Sequence, residues 1–414
     1  MLGPMPKRLR LLVISHGFPP DMGGASNRAW NIARAMQANG HEVMVIAAHP
    51  YYPHGRVSSR YAGRLFVRER LEAFEVIRVW IPSLRTRGYL NRLLIYAAFT
   101  FSYSIGQLLL ANRRLDLVYY VSPYPLSAFS FPAIMFAKLT RSQVFLDVAD
   151  LWPEVILEIG TIRTPLAMRA AKAMARTMSA VSDLATPITE SIRERLLELG
   201  LSWRKVKVVE LAIDTDYFKP QPSKFKDDRF EGKFVAEYSG IIGPKYDFAS
   251  LIAAAKIIRR KNRRVLILIR GDGEWLPYVK RLATRMENVV VLDKIENASR
   301  VLDYLNAADV LLCPMRDLKE TSSIVPSKVL EYFGVGKPVV CSGRGETETV
   351  IKENMPGVMV GPSDPEALAE AILMLESNRQ LYESSAKNAR ELAVGRYGLS
   401  ALSHRIETLV EYCS

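Results

Sequence analysis

The chain has 414 residues, 49% of them apolar and 24% charged, an ordinary globular balance that excludes a disordered or fibrous protein and leaves room for two domains. Its three cysteines, Cys313, Cys341 and Cys413, are an odd count without metal-ligand spacing; they argue against a disulfide framework or a zinc module and fit a reducing cytosol. The net charge of +13 is uneven, with sixteen Lys/Arg against five acids in residues 1–115. That excess suits a solvated basic face, an anionic membrane or phosphorylated substrates. Nucleic acid is disfavoured, because neither zinc-finger spacing nor an RNA-binding aromatic signature occurs.

In chain order, a basic start leads into Leu11-Leu12-Val13-Ile14, too short for a signal-peptide core and read as the heart of a first buried strand, 10–15. A glycine-containing loop, 17–26, follows. Helix 27–39 comes next, with Ala29, Ile32, Ala33 and Met36 on its apolar face and Gly40 as its C-terminal cap. Strands are expected at 42–47 and 76–81. Residues 93–111 carry no charge and are flanked by Arg92 and Arg113-Arg114. By length they could span a membrane, lie in its interface or form a buried helix; the polar Thr100, Ser102, Ser104 and Gln107 argue against spanning. Further strands are expected at 117–121, 143–146, 184–187 and 206–211. The stretch 217–232, rich in proline and charge, reads as a linker or hinge. A second series then runs 234–239, 265–270, 289–292, 310–314, 338–341 and 357–360. Continuous apolar strands with amphipathic helices between them predict an α/β protein of two doubly wound, parallel-sheet, Rossmann-like domains.

Four stretches carry chemistry. The pair Gly23-Gly24 at a strand-to-helix turn lets backbone approach a ligand, and the helix behind it offers free N–H groups to an anion; Asp21 stands beside it. Asp150, Trp152 and Glu154, just beyond strand 143–146, stand where open α/β sheets bind ligands, and a carboxylate there can bond a sugar hydroxyl or act as a base. Asp150 can equally serve as a helix N-cap. Arg270-Gly271-Asp272-Gly273 repeats the strand-into-glycine device in the second half. The richest stretch is Ser323-Ile324-Val325-Pro326-Ser327-Lys328, continuing to Glu331. Lys328 and Glu331 are three apart at the start of a helix and share a face; a carboxylate there can accept two ribose hydroxyls while lysine and free N–H groups neutralise a diphosphate.

Taken together these motifs resemble glycosyltransferase family 4, retaining enzymes of the GT-B fold. The carriers are Gly23-Gly24, Asp150-Leu151-Trp152-Pro153-Glu154, the run from Ala212 to Phe218, Gly271-Asp272-Gly273, Ala307-Ala308-Asp309 and Pro326-Ser327-Lys328 onward to Pro338, in family order along nearly the whole chain. The Asp-Leu-Trp-Pro and Pro-Ser-Lys forms are most similar to members that build bacterial O-antigen, capsule and related polysaccharides on lipid carriers. The resemblance implies an acceptor-side domain over 1–204, a donor-binding domain over 205–392 and a C-terminal helix, 393–414, returning to the first. It implies an active site in the cleft between domains, a nucleotide-sugar donor (UDP favoured), a glycan or polyprenyl-linked acceptor, and no cofactor or metal. The same likeness implies a cytoplasmic protein peripheral at the inner face of the plasma membrane.

By position, Glu331 would bind ribose, Lys328 and Lys245 would meet the diphosphate, and Asp150 would orient the acceptor as the leaving diphosphate takes its proton. Gly23, Gly24, Gly243, Arg270, Gly271, Gly273, Ser323, Ile324, Val325 and Pro326 would line the donor. Two positions depart from the family: Ser323 stands where a first glutamate is usual, and Ile241 where an arginine is. These departures motivate a rival reading, a catalytically silent membrane-associated assembly partner; a GT-B sugar-nucleotide epimerase is a second rival.

Overall fold

The computed structural model describes residues 8–413 except 22, 52–54, 85–88, 122–130, 150–168, 170–172, 174–175, 178–179, 224–227 and 294–297. It divides into two units, Met1–Leu211 with Leu402–Ser414, and Ala212–Ala401.

Unit 1 is a seven-stranded sheet of order β3-β4-β2-β1-β5-β6-β7. Its strands are β1 (Arg10–Ser15), β2 (Glu42–Ala48), β3 (Phe66–Leu71), β4 (Phe74–Val79), β5 (Leu117–Val121), β6 (Gln143–Val148) and β7 (Leu184–Pro187). All pairings are parallel except β3 with β4. Its helices include α1 (Gly24–Ala38), α2 (Tyr89–Leu108), α3 (Phe131–Leu139) and α4 (Glu190–Glu198). Leu12, Ile14, Ile46, Val118 and Leu146 are buried under α2 and α3 in one core, as expected of parallel strands covered on both faces.

Two expectations are corrected here. Strand β3 was not foreseen, because in Phe-Val-Arg-Glu-Arg-Leu three consecutive charges interrupt the apolar residues and the strand lies half exposed at the sheet edge, where charged side chains suit an unpaired flank. Residues 206–211 form no strand. Val206 makes one isolated bridge to Ala185, although the Lys207 and Val209 amides still bond the Ala185 and Pro187 carbonyls.

The residues after that bridge are fixed by a buried arginine. Arg28, on the inner face of α1, donates to both oxygens of Asp147 on β6, and its Nη1 and Nη2 donate to the Glu210 and Val209 carbonyls, each at 2.7 Å. Both charges are buried, so removing one leaves the other unmatched. Asp147→Ala is expected to cost 3–5 kcal/mol, about the usual cost of breaking such a pair; urea unfolding monitored by circular dichroism measures it, and a loss below 1 kcal/mol would contradict the assignment. The C-terminal residues of unit 1 are tied to it by Arg405–Glu210 (2.8 Å) and His41–Glu407 (3.0 Å).

Unit 2 is an all-parallel six-stranded sheet of order β10-β9-β8-β11-β12-β13. The strands are β8 (Phe234–Ile241), β9 (Val265–Asp272), β10 (Val289–Asp293), β11 (Val310–Pro314), β12 (Val339–Ser342) and β13 (Gly357–Val360). Among its helices are α5 (Phe248–Lys261), α6 (Leu276–Leu282), α7 (Ala298–Ala307) and α8 (Ser327–Gly334), then α9 (Glu346–Asn354), α10 (Pro365–Ser377) and α11 (Arg379–Arg396). Its core joins Ile267, Ile269, Leu312 and Val340 to the inner faces of α5 and α10. The stretch 217–232, expected as a hinge, belongs to unit 2: the Gln221 amide donates to Asn306 (2.9 Å), the Ser223 hydroxyl to the Asp303 carbonyl (2.8 Å), and Arg390 donates to the Thr215, Phe218 and Gly334 carbonyls.

Candidate active site

In each sheet the chain winds outward in both directions from a central pair, β1 beside β5 in unit 1 and β8 beside β11 in unit 2. Ligands of open α/β sheets bind at the carboxyl ends of such pairs, so the loops leaving β1, β8 and β11 are the places to look.

In unit 2 the loop after β8 runs Ile242-Gly243-Pro244-Lys245-Tyr246 into α5, whose N-cap Asp247 accepts from the Ser250 amide. Gly240 is favoured here by its φ of 143°, and a Cβ there would lie 2.5 Å from the Lys328 ammonium. Gly271 (φ 155°) is needed for a different reason: its Cβ would overlap the Gly240 carbonyl. The two glycines therefore let adjacent strand ends close on each other and leave a path for the lysine.

Lys328 starts α8 and reaches into that gap. Its Nζ lies 4.1 Å from the ring centre of Tyr238 and 3.9 Å from that of Tyr246, and donates to the Tyr238 hydroxyl at 2.6 Å. Two ring faces hold the cation without neutralising it. Burial lowers its pKa to about 8, against smaller opposing contributions from Cys313, Glu331 and Cys341. One turn later Glu331 has its pKa raised to about 7 by burial, with Lys328 and then Arg270 pulling the other way. Burial and the Glu331 charge also raise the hydroxyl of Tyr217. The next residue, Tyr332, accepts from the Ser239 amide and donates to the Ser239 carbonyl, both at 3.0 Å, fixing α8 against the end of β8. A cation and a carboxylate thus share the first turns of one helix, the arrangement that suits a diphosphate beside a ribose.

The other expected donor residues fall around this pair in different ways. Ser323 and Val325 are buried, and the Ile324 carbonyl accepts from Thr347 (3.0 Å); Pro326 is the N-cap of α8. Lys245 is partly buried, its carbonyl accepting from the Arg316 amide (3.0 Å), while the Arg316 guanidinium donates to the Pro244 carbonyl (3.2 Å) and faces the Trp275 ring. Gly243 is buried in the same loop. Gly273 (φ 156°) approaches the Ile242 carbonyl so closely that a Cβ cannot fit. Ile241, which stands where the family usually has an arginine, is exposed. Arg270 is spoken for: it pairs with Glu237 at 2.8 Å, donates to Ser239, lies over the Tyr304 ring and is 3% exposed. Its charge is matched inside the sheet, so it acts on Glu331 through space.

In unit 1, Gly23 (φ 116°) caps α1 and Gly24 begins it, with nothing within 4 Å of a Cβ at Gly24. Asp21 is buried and accepts from the Tyr51 amide (2.9 Å), while its carbonyl accepts from Ser26. Asp21 therefore shapes this loop. Beside it His16 bonds the Tyr51 hydroxyl at 2.7 Å, and burial lowers its pKa to about 4, leaving a neutral imidazole at the end of β1. Asp150, Trp152 and Glu154 lie outside the described residues. Sequence reasoning missed Tyr238, Tyr246 and His16; the only available signal was their place at the ends of β8 and β1.

Comparison with known proteins assigns both halves. Residues 23–212 match the family model "Glycosyl transferase 4-like domain" and 221–392 match "Glycosyl transferases group 1". The chain is 24% identical over 382 residues to the putative colanic acid biosynthesis glycosyl transferase WcaI of Escherichia coli K12, covering 88% of this chain and 91% of that protein. In fold it resembles Anabaena HepE crystallised with UDP (TM-score 0.66, 14% identity, 97% and 99% of the two chains) and sucrose-phosphate synthase of Thermosynechococcus elongatus (0.72, 15%, 98% and 99%). With a glycosyltransferase domain matched on each half and this fold, the chain belongs to the glycosyltransferases of the GT-B type.

Proposed function

We propose that the protein transfers a sugar, with retention, from a nucleotide-sugar donor to a glycan or lipid-linked acceptor in the making of a bacterial surface polysaccharide. The observation that carries the reading is the Lys328–Glu331 pair on one face of α8 at the central strand pair of unit 2. Glu331 accepts the two ribose hydroxyls. Lys328 and Lys245, with the free N–H groups opening α8, stabilise the charge that develops on the leaving diphosphate. Same-face attack then lets the departing diphosphate take the acceptor proton, with Asp150 orienting the acceptor. UDP is favoured as the base, in line with the UDP held by HepE and with UDP and glucose in a second structure of that protein. The polysaccharide context rests on the likeness to WcaI.

The experiment is a donor panel with lipid-linked saccharide acceptors, the product's anomeric configuration being read by NMR. One sugar nucleotide should be consumed to give the donor's own configuration; an inverted product, or isomerised donor without acceptor, would refute the reading. Lys245→Ala should weaken donor binding about tenfold, the loss of one charge-assisted contact. Unchanged nucleotide affinity by calorimetry would take Lys245 out of the site.

A further inference from the structure

We propose that Glu237, on β8, is a positioning residue for the donor site: it holds the Arg270 guanidinium inside the sheet and so keeps the Glu331 carboxylate open to a ligand's hydroxyls. This role rests on the donor reading above. Glu237 and Ser239 point to the same side of β8, because side chains two apart share a face of a strand, and Ser239 stands opposite Arg270 in the register of β8 with β9. The three side chains therefore meet between adjacent strands. Arg270 donates to one oxygen of Glu237, from Nε at 2.9 Å and from Nη2 at 2.8 Å, and Nη2 also donates to the Ser239 hydroxyl at 2.6 Å. The Tyr304 ring, on α7, covers the guanidinium with 4.9 Å from its centre to the guanidinium carbon. The other oxygen of Glu237, Oε2, is buried and has no hydrogen-bond partner among the described residues.

A guanidinium set square against both carboxylate oxygens satisfies the acid completely. Here one oxygen takes both bonds and the other takes none, so the pair is incomplete on the acid's side. Burial raises the Glu237 pKa to about 7 against the pull of Arg270. It raises Glu331 to the same value, with Lys328 and Arg270 opposing. One arginine thus serves two carboxylates that hold a proton about equally well, and the ionisation of Glu237 decides where its charge is felt. With Glu237 ionised, Arg270 is matched within the sheet and Glu331 keeps its lone pairs for a ligand. With Glu237 neutral, the whole charge of Arg270 acts on Glu331, favours its ionised form and competes with a ligand's hydroxyls for it. The other groups around this set are Lys328 and Tyr332 on α8, Tyr217 with Asp303 acting on it, and Cys313 and Cys341 beside Lys328. Burial keeps the hydroxyls of Tyr217 and Tyr332 protonated, so Lys328 is the cation among them, and it is already counted in the balance at Glu331.

The test follows the Glu331 carboxyl carbon by NMR across pH in the ligand-free full chain carrying 13C-labelled glutamate, its signal identified by its loss in Glu331→Gln. In wild type the midpoint should lie near pH 7. Glu237→Gln imitates the protonated acid in nearly the same shape and should move that midpoint down by about one pH unit, the low end of what a neighbouring arginine does to a carboxylate. Glu237→Gln with Arg270→Met removes both charges and should move it up, past the wild-type value. The double variant leaves no unmatched charge in the sheet, so the sign can be read even where the single variant folds poorly. Calorimetry with UDP gives the second reading: at pH 8 Glu237→Gln should bind about fivefold more weakly than wild type, as Arg270 competes for Glu331. A purely structural pair would not move the Glu331 midpoint in opposite directions. A midpoint that stays in place in Glu237→Gln, or that moves the same way in both variants, overturns the proposal. Wild type that binds no UDP removes the donor reading and this role with it; wild-type binding with an unmoved midpoint removes this role alone.

Discussion

Replacing Glu331 by alanine is expected to lower turnover of any accepted sugar nucleotide by about 10²–10⁴-fold. A half-buried carboxylate accepting two ribose hydroxyls makes two charge-assisted bonds, each worth about 1.5–3 kcal/mol and without a substitute once the side chain is gone. The fold should survive, because the described contacts that hold α8 come from Tyr332 and the buried Val329, Leu330 and Phe333. Stability should even improve at neutral pH. With its folded pKa raised to about 7 from 4.5, Glu331 binds protons more tightly folded than unfolded. Its contribution is full below pH 4.5 and is lost as pH rises through about 7. Glu331→Gln should therefore flatten that decline and leave the ligand-free protein more stable than wild type at pH 8 by a margin of order 1–3 kcal/mol. Urea titrations at pH 5 and pH 8 measure it. Parallel losses at both pH values would mean that Glu331 is an ordinary structural carboxylate.

Lys328→Met should weaken donor binding about a hundredfold, more than Lys245→Ala, because Lys328 is the cation held in place before any ligand arrives. Tyr238 and Tyr246 supply two ring faces and one hydroxyl, and the carboxylate of Glu331 lowers the cost of the charge only in part. Keeping an ammonium there opposes folding. With the folded pKa lowered from 10.5 to about 8, the associated stability is present above pH 10.5 and lost as pH falls through about 8. The methionine variant should thus melt no lower than wild type at pH 7 while failing to bind nucleotide. The two groups together set a pH window. Donor capture needs Glu331 ionised and Lys328 protonated, so kcat/KM should form a bell with its maximum between about pH 7 and 8. Its two limbs belong to the pair rather than to either residue. Glu331→Gln should remove the acid limb from whatever activity remains. A flat profile between pH 6 and 9 would exclude both roles.

The two parallel sheets were legible because their strands are buried on both faces and read as uninterrupted apolar runs; β1, β5, β7, β11 and β13 carry the expected bounds. What escaped notice has physical causes. Strand β3 is an exposed edge whose charges break the pattern, and 206–211 makes only a single bridge and two amide bonds to β7 before Arg28 claims the Val209 and Glu210 carbonyls. In the site, the shared face of Lys328 and Glu331 followed from helical spacing. The tyrosines around Lys328 did not, since Tyr238 and Tyr246 come from a strand end and a loop some ninety residues away in sequence. Arg270 looked like a donor contact beside its glycine turn; the cross-strand neighbour that occupies it, Glu237, becomes visible only in the register of β8 with β9. The one-sided burial of α2, with Ile95, Phe99 and Tyr103 in the core and Leu94 and Phe101 exposed, likewise depends on tertiary packing, and 93–111 gave no hint of it beyond polar interruptions. Among the described residues no helix is long and apolar enough to cross a membrane.

The central claim, that α8 and the glycine turns of β8 and β9 hold a nucleoside diphosphate, is tested most directly by thermal shift with UDP, GDP and ADP at pH 7.5, wild type beside Glu331→Ala. A ligand at a hundred times its dissociation constant stabilises a fold by about 2.7 kcal/mol. The account predicts a clear upward shift for one base, UDP foremost, and none for the variant. Identical shifts in both proteins, or no shift with any of the three nucleotides, would contradict it.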